Sequence, residues 1–270
     1  MPLHEIVFSP RLLVLTLGGD TVSTSYGANC VAAAGARGTL LVDPLIAPAH
    51  ARLVSEALAR RAFPEVTHVV LTHHHTDHAL GASWFAALGA QVVAQRRCAE
   101  AMAAFHPALV AQRRADPALA ALFADAEPRA PSVVFDEGWQ VDLGDLPVEV
   151  RRAGPAHTPG DAVVLLPSEG VVACGDLVSA GYHFNYEDAD PATLPAALAA
   201  LAALPAERFV PGHGPPGGRE IVEAQARYHE EVARLVAASG TADEARAAIY
   251  ARFPGFLLAA AIDTALARRP

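Results

Sequence analysis

Four of the chain's 12 histidines fall within eight residues, Thr72-His73-His74-His75-Thr76-Asp77-His78-Ala79, directly after the apolar run THVVLT at 67–72. An apolar strand entering such a loop aims His73 and His75 to one side, because alternate residues share a face. The turn that follows brings Asp77 and His78 to a second point. Imidazole nitrogen and carboxylate oxygen are the donors zinc takes in catalytic sites that keep one position open for water. Three later residues supply what a two-metal site would still need: His157 in GPAHTPGD, Asp176 in VACGDL and His213 in VPGHGP. Each stands at an expected strand end or in a Gly/Pro-rich turn, where a side chain reaches the rim of a sheet. Singly, each also reads as an ordinary turn residue; in this order, after the cluster, they point to one centre.

The elements that would position these residues follow from short apolar runs closed by turns. Strands are expected at 12–17, 29–34, 38–43, 67–72 and 91–95, with helices at 47–63 and about 79–88 between them. From 97 to 126 the chain is Ala-rich and helical in pattern, but Pro107 and Pro117 predict two or three short helices, an insertion placed to lie over an active site. Strands resume at 132–135, 146–152, 162–167, 170–176 and 208–212, with a helix at 192–204 and helical patterns at about 217–238, 241–252 and 256–268. Both halves run strands first and helices later. That predicts an α/β fold in four layers, two mixed sheets face to face with helices outside (an αββα sandwich), over residues 1–270 as a single domain.

Composition sets the boundaries. The 270 residues are 52% hydrophobic, enough for a large core, and the net charge of −9 argues against nucleic acid as a partner. All 20 basic residues are Arg, which excludes Schiff-base chemistry, Walker-type phosphate binding and a lysine anchor for a substrate carboxylate. Cys30, Cys98 and Cys174 are too far apart for a thiolate zinc site or a disulfide framework. With no basic n-region and no apolar stretch of about 18 residues, the expectation is a cytoplasmic chain without a membrane span. His4, His50, His68, His106 and His229 have no partner motif, and His74 should point away from the cluster's focus. Phe105, Phe123, Trp84 and Trp139 read as packing residues.

The set His73-x-His75-x-Asp77-His78, then His157, Asp176 and His213, resembles the metallo-β-lactamase superfamily, from the strand ending in Asp43 to PGHG at 211–214. The resemblance implies an αββα sandwich with two zinc ions, iron or manganese being acceptable to the same donors. His73, His75 and His157 would hold the first ion. Asp77, His78 and His213 would hold the second, and Asp176 would bridge them. Asp43 would orient a ligand from behind. Zinc lowers the pKa of water from 15.7 to roughly 7, so a bridging hydroxide could attack a carbonyl while Asp77 handles the proton. The centre would carry a charge near +1 and favour a polar or anionic small molecule. Tyr182 and His183 fall where related lactonases place an oxyanion donor.

Within that family the departures discriminate. Antibiotic-hydrolysing members usually carry Cys or Ser where Asp176 stands, and many use a Lys, so β-lactam hydrolysis is expected only as a weak activity. The THHHTDH loop is similar to that of hydroxyacylglutathione hydrolases, but LVSAGYHFNYED after Asp176 lacks their GCGR-like stretch. The expectation is a binuclear zinc hydrolase of lactones, thioesters, esters or related acyl compounds. The alternative is a mononuclear iron enzyme like the persulfide dioxygenases, using His73, His157 and Asp176. The oligomeric state is left open.

Overall fold

A computed structural model describes residues 2–268. The first sheet has seven strands in sequence order: β1 (His4–Ser9), β2 (Leu12–Thr16), β3 (Asn29–Gly35), β4 (Gly38–Val42), β5 (Val66–Leu71), β6 (Gln91–Gln95) and β7 (Val133–Phe135). Its first four strands pair antiparallel and the rest parallel. The second has five, in the order β12 (Arg208–Val210), β11 (Val171–Ala173), β10 (Ala162–Leu166), β9 (Pro147–Arg152) and β8 (Gly138–Asp142). Helix α1 (Pro48–Arg60), the single turn α2 (Thr76–Ala79), α3 (Ala82–Ala87) and α4 (Arg96–Ala115) belong to the first half. Helices α5 (Leu194–Ala202), α6 (Arg219–Ala238), α7 (Ala242–Arg252) and α8 (Ile262–Leu266) belong to the second.

Strand alternation sorts the apolar residues into layers. Leu12, Val14, Val31, Val42, Val70 and Val93 meet Val148, Val150, Val164 and Val210 between the sheets. Their neighbours Leu13, Leu15, Leu41, Val69 and Leu71 turn outward under Val54, Leu58, Phe85 and Met102 of the helices. Both faces of the central strands are therefore buried, which is why they read as continuous apolar runs. A corresponding layer of Leu198, Leu201, Val222, Val232 and Ile249 covers the outer face of the second sheet. The four-layer α/β expectation is met.

The expectation of several short helices after residue 96 is not. Helix α4 runs unbroken through Pro107 for 20 residues. Cys98, Met102, His106 and Val110 form its buried face, whereas Pro107 and Ala103, whose carbonyl loses its amide partner, lie on the exposed side where water serves. After Asp116 the chain winds through turns with Phe123 and Ala126 fully buried. Phe123 and Trp139 do pack in core layers, but Phe105 is 53% exposed. Among the described residues no helix is long and apolar enough to cross a membrane.

On α6, His229 lies in an aromatic cage with Phe184 at 4.5 Å and Tyr186 at 5.5 Å between ring centres. Gln225 accepts from the Ser179 amide at 2.9 Å, so its own amide nitrogen donates to His229 Nε2 at 3.1 Å and Nδ1–H donates to Tyr186 Oη at 2.7 Å. A second proton on the ring would face the Gln225 amide. Burial pushes His229 down to about 4. The unfolded chain, with an ordinary histidine pKa of about 6.5, then binds the extra proton first. The stability this neutral ring contributes is present above about pH 6.5 and lost as pH falls toward 4, at up to ~1.4 kcal/mol per pH unit. Melting temperatures from pH 7 to 4.5 should fall more steeply for the wild type than for His229→Gln.

Candidate metal centre

The candidate ligands stand on loops that leave strand ends along one rim of the two sheets. His73 and His75 follow β5, and Asp77 and His78 lie in α2. His157 lies in the turn from β9 to β10, Asp176 just after β11 and His213 just after β12. The amide of Ala162 donates to the Thr72 carbonyl at 2.8 Å, joining the two sheets beside the histidine loop. Asn29, at the start of β3, grips the His213 loop from the other sheet. Its amide donates to Gly212 O at 2.8 Å and its Nδ2 to Pro211 O at 2.9 Å and Gly214 O at 2.8 Å.

Local carboxylates fix two of these loops. Asp161 accepts from the Thr158 amide at 3.0 Å, the Thr158 hydroxyl at 2.6 Å and the Ala156 amide at 3.1 Å, closing the turn that presents His157. Burial pushes this carboxyl up to about 6 despite those bonds. Asp43 takes the left-handed conformation at φ 55° and accepts from the Thr72 amide at 2.8 Å and hydroxyl at 2.6 Å. It also accepts from His78 Nδ1–H at 3.0 Å, which leaves Nε2 facing the centre. The structure thus places Asp43 against the outer side of the His78 ring.

All seven candidate ligands converge. Ligand atoms of His73, His75, His157 and Asp176 lie within 4.8 Å of one another, and so do those of Asp77, His78 and His213. His157 Nε2 is 3.0 Å from His75 Nδ1. The Asp176 carboxylate lies between the groups: Oδ2 is 3.5 Å from His157 Nε2 and 3.3 Å from His213 Nε2, and Oδ1 is 3.1 Å from His78 Nε2. Asp77 Oδ2 is 3.3 Å from His213 Nε2. The His213 ring is held from behind by Nδ1–H donating to Tyr26 O at 3.0 Å.

The electrostatics suit a cation. Burial and the nearby His78 hold His73 well below the ordinary histidine value, and burial takes His157 down to about 3, so both are neutral with a free lone pair. Burial opposes charging His213, yet Asp176 and Asp77 carry it up to about 9. Burial would raise Asp77, but His78 and His213 hold it at about 2. His73 Nε2 and Asp176 Oδ1 are buried with no hydrogen-bond partner. Orphaned donor atoms of this kind, among imidazoles and ionised carboxylates, fit zinc or a similar divalent ion.

Of two further anticipated residues, Tyr182 stands beside the centre with its hydroxyl engaged and His183 is turned away, and one contributor was not anticipated. The Tyr182 ring lies 5.4 Å from His213, but its hydroxyl donates to Gly19 O at 3.0 Å. His183 turns away into Tyr228, Tyr250, Phe253 and Phe256, with Nδ1 3.0 Å from Tyr228 Oη, so the structure does not bring it to the centre. Asp188, 113 residues from His75 in sequence, accepts from His75 Nε2–H at 3.0 Å. This fixes the tautomer that turns His75 Nδ1 inward. Asp188→Asn is expected to weaken zinc binding or turnover about 10- to 100-fold, read by competition with a chelator and by kcat; unchanged values would remove it from the centre.

The fold is thus a four-layer sandwich with a His/Asp cluster on the rim between its sheets. The family model described as metallo-beta-lactamase superfamily matches residues 24–213, and the chain belongs to that superfamily. A hydroxyacylglutathione hydrolase from Acidiphilium cryptum is 34% identical over 213 residues, 77% of this chain and 72% of that protein. A metallo-beta-lactamase type 2 from Bacteroides fragilis is 33% identical over 98 residues, 34% of this chain. Another from Elizabethkingia meningoseptica is 24% identical over 171 residues, 63% of this chain. The matches span 39% and 60% of those two enzymes' lengths. Among solved structures, a metallo-beta-lactamase from Pontibacter korlensis superimposes with a TM-score of 0.70 over 84% of this chain and 99% of that one, at 21% identity. That likeness speaks for the fold.

Proposed function

We propose that the protein is a binuclear zinc hydrolase acting on a polar or anionic acyl compound, with thioesters, lactones and esters as the substrate class. The observation that carries this reading is the convergence of seven His and Asp side chains in two groups with the Asp176 carboxylate between them. Likeness to a hydroxyacylglutathione hydrolase puts thioesters first among the compounds to try. His73, His75 and His157 would hold one ion, Asp77, His78 and His213 the other, and Asp176 both. Bound zinc supplies a Lewis acid for the carbonyl and makes water acidic enough to attack near neutral pH.

The chain's own residues supply position and proton transfer. Asp77 is ionised at neutral pH, and its side chain is the most accessible of the carboxylates around the centre after Asp188. It is the base that takes the proton from the attacking water and passes it to the leaving group. Asp43 and Asp188 keep His78 and His75 in the tautomers that face inward.

The test is the metal content of protein purified without added metal or chelator, by inductively coupled plasma mass spectrometry, followed by a panel of thioesters, lactones, esters and β-lactams. Two zinc per chain with acyl hydrolysis is the expected result. One iron per chain with sulfur oxidation would replace this reading by the persulfide dioxygenase one, and protein that refuses zinc on titration would overturn both.

A further inference from the structure

Outside the convergence of those seven ligands, a second set of donors stands on its outer side. His74 Nε2 is 3.3 Å from Asp188 Oδ2, and His75 Nε2 is 3.0 Å from the same oxygen. The three donor atoms lie within 4.8 Å of one another. Zinc with bonds of 2.0–2.1 Å to nitrogen and oxygen needs tetrahedral neighbours about 3.3–3.4 Å apart, so only small shifts would seat an ion there. The surroundings favour a cation. Among the described residues Asp188 makes no ion pair with an arginine, and its charged-group partners are His74 and His75. It is a third exposed, so the cluster opens to solvent.

The His74 backbone and ring are fixed independently of any ion. His106 Nε2–H donates to the His74 carbonyl at 2.6 Å, and the His74 ring lies 5.9 Å from Phe105. His74 Nδ1 is buried with no hydrogen-bond partner, so the ring proton belongs on Nε2, where it meets Asp188. Two N–H groups thus compete for one carboxylate oxygen.

We propose that His74 Nε2 and the Asp188 carboxylate form a separate rim site for a borderline divalent cation such as zinc, with solvent completing its coordination. Binding replaces the proton on His74 Nε2, which leaves to solvent, by the ion. It also draws Asp188 away from His75, so an ion at the rim opposes the centre beside it. Affinity at the rim is the weaker of the two, because only His74 and Asp188 are free to give donors. The inhibitory consequence rests on the hydrolase reading; the binding site itself does not.

The experiment is equilibrium dialysis of the full chain against rising free zinc, with zinc per chain counted by mass spectrometry. The wild type is compared with His74→Phe, which keeps the packing against Phe105, and with His74→Gln, both checked for folding by circular dichroism. The expected curves coincide at low free zinc, and at high free zinc the wild type takes up one more ion per chain. In the wild type alone, that extra ion lowers any hydrolysis about tenfold or more. Coincident curves throughout would overturn the rim site, as would a deficit of the variants already at low zinc, since that would place His74 in the centre. Failure to find any hydrolysis would defeat the functional reading and leave the rim-site comparison intact.

Discussion

Asp77→Asn should lower kcat about 10²- to 10⁴-fold while the chain keeps at least one tightly bound ion. The size follows from the contribution of a positioned general base. The retention follows from geometry, because His73, His75, His157 and Asp176 form a group that does not include Asp77. Asparagine matches aspartate in shape, so the His213 contact at 3.3 Å survives as a neutral one and folding is unaffected. Turnover and zinc stoichiometry measured on the same preparation separate the outcomes. Full turnover would remove Asp77 as the base, and loss of all metal would show that the two groups of ligands bind only together.

Gly212→Ala should be nearly as damaging, although Gly212 carries no chemistry. A Cβ at this position would fall 1.8 Å from Asp176 Oδ1 and 2.8 Å from the Gly175 carbonyl carbon. The backbone cannot retreat. The Gly212 amide donates to Gly175 O at 2.8 Å and Val178 O at 3.0 Å, while its carbonyl accepts from the Asn29 amide at 2.8 Å. The Asp176 carboxylate is therefore what moves, and with it the group that stands between the two sets of ligands. We expect at least a 100-fold loss of hydrolysis, metal content below that of the wild type, and a destabilisation of about 1–3 kcal/mol from overpacking. Gly89→Ala is the control, with φ 101° but nothing within 4 Å of its Cβ. It should lower the melting temperature and leave metal content alone.

The buried strands were legible in the sequence because both of their faces are covered, so β2 to β6 stand out as apolar runs. The two strands that escaped notice, β1 and β8, are half-covered and lie at sheet edges, with mixed burial along HEIVFS and GWQVD. Their pattern carries half the apolar signal. Pro107 misled because its effect depends on which side of α4 its carbonyl partner faces, and that is a property of packing. The histidine loop, His157, Asp176 and His213 declared themselves by residue type at strand ends. Asp188 did not, because an acid in YEDAD resembles any solvated turn until the fold brings it beside His75. The same holds for His183, whose neighbourhood in sequence says nothing of the aromatic cage that takes it.

The chain crosses from one sheet to the other between β7 and β8, and that crossing divides the candidate ligands. His73, His75, Asp77 and His78 come before it, and His157, Asp176 and His213 after it. Neither half holds all of either proposed ligand group, so on the proposed reading metal affinity would gauge how well the halves are docked. A substitution buried between the sheets and far from the rim, such as Val148→Ala, would loosen that docking and surface first as weaker zinc retention, before any cooperative unfolding. On that reading the centre would serve as a built-in strain gauge for the interior of the sandwich, and chelator sensitivity would become an assay of core packing.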